Sequence, residues 1–199
     1  AAQASEALRS AIELANATGN AGLADRARLG LGMALITQSR YAEAIEVARQ
    51  ILAGSASDYY VDAELLWSTA LSVEGVDLDG AALRLQSAAA RCAAQGDPKH
   101  MAHIKFELGS IAAQQGDLPA AVAYYHEALA IAATTPAAIQ YQVLALNNLG
   151  YHLMLMGDPG ASSYVAAGLE LAQQQGMLSF EAYLHSTQGE IALAAGDLD

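Results

Sequence analysis

Few side chains of this sequence could perform chemistry, and the pair with the most suggestive spacing is His103 and Glu107. Residues four apart share one face of an α-helix, so this imidazole and carboxylate could hold a metal ion together. His100 lies nearby in sequence, but a metal site needs three or four ligands, and the spacing brings no other ligand close to His103 and Glu107. The alternative is a polar surface at the start of a helix, and we therefore predict no metal site.

No sequence motif for catalysis is present. A phosphate-binding loop requires Gly-Lys-Ser or Gly-Lys-Thr, and neither Lys99 nor Lys105 follows a glycine. The Gly-x-Ser-x-Gly elbow of hydrolases and the His-Glu-x-x-His zinc motif are also missing from the sequence. We predict that this segment is not an enzyme and holds no cofactor.

Two adjacent amides, Asn147 and Asn148, form the other unusual polar feature. Asparagine is a poor helix former, so a role other than helix propensity would have to keep two of them in the middle of a helix. Ligand binding is one such role. The alternative is that one amide bonds to a neighbouring helix while the other faces water.

Composition indicates which elements must position these residues. The chain has 199 residues, of which 54% are apolar, and only four are prolines. Alanine dominates the apolar fraction, and alanine is the best helix former. The fold class predicted from composition is therefore all-α.

A weak motif repeats along the chain: a small residue is followed seven residues later by a turn residue. The first members are 36, 41, 41 and 39 residues apart. The pairs are Gly32 and Ser39, Ser68 and Gly75, Gly109 and Gly116, Gly150 and Gly157, and Gly189 and Gly196. Such a period indicates an array of helical pairs.

Residues 101–132 show how one repeat is built. Gly109 lies in the first helix of the pair, helix A, and Gly116 stands where a left-handed residue would end that helix. Asp117 occupies the cap position of the second helix, helix B. Gly109 and Ala121 are small, and we infer that helices A and B cross there.

The same interpretation as helix pairs applies to residues 1–199, which we predict to form a single array without an interior domain boundary. Both ends of the sequence fall within a repeat, so we expect a fragment of a longer protein. The predicted divisions are a helix B at 1–18, helix pairs at 20–54, 57–95, 97–134 and 136–176, and a truncated repeat at 178–199.

At these positions the sequence resembles the tetratricopeptide repeat family. The shared features are the Leu-Gly pair, the glycine between the helices, and the small residue, tyrosine and Ala-Leu of helix B. The resemblance implies an α-α superhelix of antiparallel helix pairs. Repeats near 40 residues and phrases such as "NNLGYHLMLMGDP" are similar to the arrays of bacterial signal-transduction ATPases and LuxR-type or AfsR-type transcriptional regulators.

In such arrays helix A lines the concave surface, where ligands bind. An asparagine at the place of Asn148 contacts bound peptide in some family members, whereas Tyr124 and Tyr125 are expected to pack between repeats. The residues projected onto this surface are Met33, Leu65, Thr69, His103, Phe106, Glu107, Ser110, Asn147, Asn148, Tyr151, Tyr183, Thr187 and Glu190.

Charge restricts the possible partners. The formal net charge is −12, and no lysine or arginine follows Lys105. Such acidity disfavours nucleic acid as a direct ligand. No apolar run is long enough to span a membrane, and the single cysteine, Cys92, excludes an internal disulfide and suits the cytoplasm. The lysines and arginines that clamp a terminal carboxylate in chaperone-binding relatives are missing from the concave surface.

Two functions remain open at this point. The first is a protein-interaction or ligand-sensing domain of a bacterial transcriptional regulator, which would respond to a protein, a peptide or a small-molecule inducer. The second is a free-standing scaffold or adaptor that binds a partner peptide or helix. An enzyme built on helical repeats is the third class, and no polar cluster in the sequence supports it.

Overall fold

The computed structural model describes residues 2–54 and 58–196, and every regular element in these ranges is a helix. Part of the predicted loop at 51–60 and the terminal residues 197–199 lie outside the described residues. The α-helices are α1 (Ala2–Ala17), α2 (Ala21–Ile36), α3 (Tyr41–Leu52), α4 (Tyr60–Glu74), α5 (Leu78–Gln95), α6 (Pro98–Gln114), α7 (Leu118–Ala133), α8 (Ile139–Leu155), α9 (Ala161–Gln174) and α10 (Leu178–Ala195). A short 3₁₀ helix, Pro136–Ala138, precedes α8.

The helices form two compact units, Ala1–Gln95 and Gly96–Asp199. In each unit every helix packs against the next one along the chain. In addition, α2 packs against α4 in the first unit, and α8 packs against both α6 and α10 in the second. The division falls in the stretch "AAQGDPKHM", which the sequence pattern treats as an ordinary loop between repeats.

The turn residues of the repeated motif have left-handed backbone conformations. Gly75, Gly116, Gly157 and Gly196 have φ between +74° and +82°, and Ser39 has φ of +57°. This region suits glycine because it has no Cβ atom. Each of these residues follows a helix A, so the local sequence explains where those helices end.

The helix that follows Gly116 begins at an aspartate cap. The Asp117 carboxylate accepts a hydrogen bond from the backbone N–H of Ala120 at 3.0 Å. Asp97 caps α6 in the same way, through the N–H of His100 at 3.1 Å. These caps satisfy backbone donors that a helix start leaves without partners.

The small residues of the motif lie where neighbouring helices approach each other closely. A Cβ atom added at Gly109 would lie 2.6 Å from the ring of Tyr125 in α7, and one added at Gly150 would lie 2.3 Å from Val165 in α9. The Ser68 hydroxyl donates to the carbonyl of Ala81 in α5 at 3.2 Å.

Two other motif glycines have different surroundings. A Cβ atom at Gly32 would lie 2.2 Å from Leu66, so its close neighbour is α4, the next helix A, rather than α3. A Cβ atom at Gly189 would meet nothing within 4 Å. The motif therefore marks a helix crossing at some repeats and not at every repeat.

Each unit has its own apolar core. The core of the first unit includes Leu31, Leu35, Ala44, Val47, Ala48, Leu66 and Ala70. The second unit has one cluster of Ala112, Ala121, Tyr125, Leu149, Leu153 and Ala161, and another of Val143, Val165, Leu169, Ala172 and Leu184. Within the described ranges, no helix combines the length and apolarity that crossing a bilayer requires.

Candidate functional site

Three helices of the second unit lie in a row, because α8 packs between α6 and α10. Each is a helix A of the predicted pairs, so residues expected on one surface come from three elements. We call this surface the A-helix face. Its predicted members are His103, Phe106, Glu107, Ser110, Asn147, Asn148, Tyr151, Tyr183, Thr187 and Glu190.

The two adjacent amides join helices of this row. The Thr187 hydroxyl donates to Asn147 Oδ1 at 2.9 Å, which links α10 to α8. Asn147 Nδ2 in turn donates to Asn148 Oδ1 at 3.2 Å. Both amides are half-buried. One amide therefore bonds to the neighbouring repeat, which explains its presence in the middle of a helix.

The second amide borders a buried phenol. Tyr125 is 1% exposed, and its hydroxyl donates to Ser110 Oγ at 3.4 Å. Burial raises the pKa of Tyr125 above its ordinary value; hydrogen bonds with Ser110 and Asn148 oppose the rise, and the Glu107 carboxylate adds to it. The phenol is thus a neutral group buried beneath the A-helix face.

Glu107 and His103 lie together on α6, as their spacing predicts. His103 Nε2 lies 3.4 Å from Glu107 Oε1, and the side chain of Glu107 is only 15% exposed. The His103 ring stacks on Tyr141 of α8, with 4.4 Å between centroids and 20° between planes. The Phe106 ring lies 6.3 Å from the same tyrosine. The His103 ring therefore contacts both a nearly buried carboxylate and the Tyr141 ring.

Sequence reasoning missed Tyr141. A usable signal was present, because Tyr141 and Asn148 are seven residues apart and such residues share a helix face. Its side chain is 8% exposed, and it packs in a core cluster with Ala102, Ala132 and Ala138. Tyr141 thus supports the A-helix face from below rather than projecting from it.

The tyrosines predicted on the face differ in exposure. Tyr151 is half-buried and packs edge-on against His152, with 5.2 Å between ring centroids. Tyr183 is 65% exposed, one helical turn before Thr187. Tyr183 is therefore the large side chain on this face that a partner could reach most directly.

The corresponding predictions in the first unit have mixed outcomes. Met33 is 55% exposed and Thr69 is half-buried. Leu65, in contrast, is 3% exposed, so it belongs to the core and not to an accessible surface. The projection was wrong for Leu65 because the start of α4 is buried on several sides, including Val61, Ala63 and Glu64.

His100 and His103 have separate partners and do not converge. His100 Nδ1 lies 2.5 Å from Asp97 Oδ2, whereas His103 faces Glu107. Within residues 2–54 and 58–196, no group of three or more histidine, cysteine, aspartate or glutamate side chains is arranged to hold a metal ion.

An apolar groove of about 460 Å³ lies beside the A-helix face, between the α8–α9 turn and α10. Met154, Ala161, Ile191 and Ala192 contribute apolar walls, and Asp158 contributes the one charged side chain of its lining. Ser162 and Gln188 add uncharged polar groups to the lining.

Comparison with known proteins informs the fold. No protein-family model matches the sequence, and no curated protein matches it significantly. The crystal structure of BtubC (BKLC) from P. vanneervenii is similar, with a TM-score of 0.78 and 22% sequence identity over 98% of this chain and 83% of that one. At this identity the likeness shows a shared all-helical fold.

Proposed function

We propose that this chain is a tetratricopeptide-like interaction segment that binds a protein or peptide partner on its A-helix face and performs no catalysis. The observation that carries the proposal is the Thr187–Asn147–Asn148 chain of hydrogen bonds. It links α8 to α10, and because α6 also packs against α8, we infer that polar groups and aromatic rings from the three helices form one surface.

The chemistry of this surface suits recognition of a peptide. Amides both donate and accept hydrogen bonds, as a peptide backbone requires. Tyrosine and tryptophan side chains often dominate binding energy, and Tyr183 and Tyr151 are available on this face. The neighbouring pair Glu107 and His103 adds a carboxylate and an imidazole to the face. We infer that the partner contributes an extended segment or a helix.

A random-peptide selection tests this proposal. Displayed 12-residue peptides would be selected on the biotinylated chain and counted by sequencing. Asn148→Arg places a long cation in the face, and Tyr183→Lys changes an exposed position, which keeps the test valid if the first variant folds poorly. Gln173→Arg, on an exposed part of α9, is the matched control.

We expect peptides that bind the wild-type chain and the control and are depleted at least about tenfold by the face variants; tenfold corresponds to about 1.4 kcal/mol. Peptides retained equally by every variant would contradict the proposed face. Failure to select any peptide would contradict peptide binding itself.

The proposed setting is a bacterial transcriptional regulator or signal-transduction ATPase, with a superhelical stack of repeats. The phrases "NNLGYHLMLMGDP" and "STQGEIALAAGDLD" support it. Reading the full open reading frame tests the setting. A Gly-Lys-Ser/Thr loop upstream and a helix-turn-helix at either end would support it, whereas a frame with only one or two more repeats would support a free-standing adaptor.

A further inference from the structure

We propose that Glu107 receives the guanidinium group of an arginine side chain from the partner. The inference rests on the proposed function and specifies the chemistry of the same face. It follows from the burial of this carboxylate, from the groups around it, and from a comparison with other carboxylates of the molecule.

Glu107 is a nearly buried charge with no strong cationic partner. Its side chain is 15% exposed, and among the described residues its ion-pair neighbour is the His103 ring, at 3.4 Å. A histidine is a cation only when it is protonated, so this contact does not supply a permanent positive charge. Buried carboxylates are costly unless they are paired, and Glu107 keeps part of its side chain exposed, where a partner could reach it.

Other shielded carboxylates of the chain have arginine partners. Asp25, with a side chain 13% exposed, lies 2.8 Å from Arg28. Glu64, with a side chain 7% exposed, lies 2.9 Å from Arg84. The Arg84 guanidinium also lies 3.4 Å from the centroid of the Trp67 ring. At this second site, the Arg84 guanidinium therefore contacts both a buried carboxylate and an aromatic ring.

Glu107 also lies near aromatic rings, as Glu64 does, but it has no arginine partner among the described residues. The His103 ring, which contacts Glu107, stacks on the buried Tyr141, and the half-buried Phe106 lies on the same helix. The Tyr125 hydroxyl and the Asn148 amide add hydrogen-bonding groups close by. Arginine suits such a site because its planar group donates five hydrogen bonds and stacks on aromatic rings.

Among the described residues, no lysine or arginine lies within ion-pair distance of Glu107. No lysine or arginine follows Lys105 in the sequence. Lys105 Nζ lies 2.6 Å from Glu127 Oε2 and 5.4 Å from the Tyr124 ring centroid, so it is engaged with α7. A cation that pairs with Glu107 therefore comes from another molecule.

A small probe tests the inference directly. N-acetyl-arginine N-methylamide would be titrated into the ¹⁵N-labelled chain, with the citrulline analogue as its neutral counterpart. The proteins would be wild type, Glu107→Gln and Glu170→Gln, the last an exposed acid on α9. Thermal melts of each variant would establish that it is folded.

We expect saturable shifts centred on Glu107, His103 and Asn148 for the arginine probe. Glu107→Gln should weaken binding at least about tenfold, Glu170→Gln should change it less than about twofold, and the citrulline probe should bind at least about tenfold more weakly. Equal binding of the two probes, an unchanged Glu107→Gln variant, or shifts scattered over all acidic residues would overturn the inference.

The selected peptides separate this inference from the proposed function. Each arginine of a face-binding peptide would be replaced by citrulline. Peptides that bind the face and tolerate every such replacement would refute the arginine site and leave peptide binding intact. Conversely, a specific response to the arginine probe with no selectable peptide would refute the proposed function and leave the site.

Discussion

The packing of Tyr125 on Gly109 leads to a prediction for which Gly189 of the same protein is the control site. The same substitution, glycine to alanine, can be made at Gly109 and at Gly189, which hold equivalent places in the repeated motif. At Gly109 the new Cβ atom would lie 2.6, 2.8 and 3.1 Å from three carbons of the Tyr125 ring. At Gly189 it would meet nothing within 4 Å.

The expected magnitudes follow from these distances. Carbon atoms in good contact are about 3.5–4.0 Å apart, so the Tyr125 ring would have to move by about 1 Å. The ring is 1% exposed and has the rings of Phe106 and His152 within 5.7 Å and 5.3 Å, so it has little room. Overpacking of this kind costs about 1–3 kcal/mol.

The helix preference of alanine acts in the opposite direction at both sites. Alanine in place of a mid-helix glycine stabilises by about 0.5–1 kcal/mol. Gly109→Ala should therefore be destabilised by about 1 kcal/mol, and Gly189→Ala stabilised by somewhat less. For a chain of this size, a separation of about 2 kcal/mol corresponds to about 4–8 °C in Tm.

Thermal and urea unfolding followed by far-ultraviolet circular dichroism would measure both variants against the wild type. Opposite signs of the two changes would support the close contact between α6 and α7. Equal changes at the two glycines would refute it, because helix preference alone would then account for both.

Three further predictions concern other parts of the fold. Ala121→Arg should abolish cooperative unfolding of the second unit, because Ala121 is 0% exposed, whereas Arg at the exposed Ala123 should leave Tm within about 2 °C. Asp97→Ala should cost about 1 kcal/mol at pH 7. Burial opposes ionisation of Asp97, but hydrogen bonds from His100 outweigh this effect and lower the pKa of its carboxyl group. The stability that the ionised Asp97 contributes is therefore present above the ordinary aspartate pKa and is lost as the pH falls through the lowered pKa. Urea unfolding at several pH values would show this loss. Thr187→Val should cost about 1 kcal/mol through loss of the hydrogen bond to α8, and an unchanged urea midpoint would contradict that link.

Local features of the fold could be predicted from the sequence because their causes are local. Gly116 adopts φ of +82° and Asp117 caps α7, and both roles depend on residues within a few positions of the turn. The small size of Gly109 also had a readable cause, since a helix crossing leaves no room for a side chain.

Other features depend on contacts between distant residues and could not be predicted from the sequence. The close neighbour of Gly32 is Leu66, which lies in another helix pair, and Leu65 is buried although its position projects it outwards. The division after Gln95 has no marker in the local composition. Such outcomes depend on how helices of different pairs approach one another.

The candidate site shows the same contrast. The spacing of His103 and Glu107 predicts that both lie on one helix face, but the 15% exposure of Glu107 could not be predicted from that spacing. The hydrogen bond between Thr187 and Asn147 joins residues 40 positions apart, which no local pattern indicates. Residue type and helical period therefore predict which side chains share one helix face, whereas the bonds between helices required the structure.

Site-specific cross-linking tests the central claim most directly. Tyr183, 65% exposed on the A-helix face, and Leu83, 69% exposed on α5, would each be replaced by the photoreactive p-benzoylphenylalanine. A selected peptide would then be irradiated with each protein, and the products would be mapped by mass spectrometry. We predict cross-links from position 183 and none above background from position 83. Equal yields at the two positions, or cross-links from position 83 alone, would contradict binding at the A-helix face.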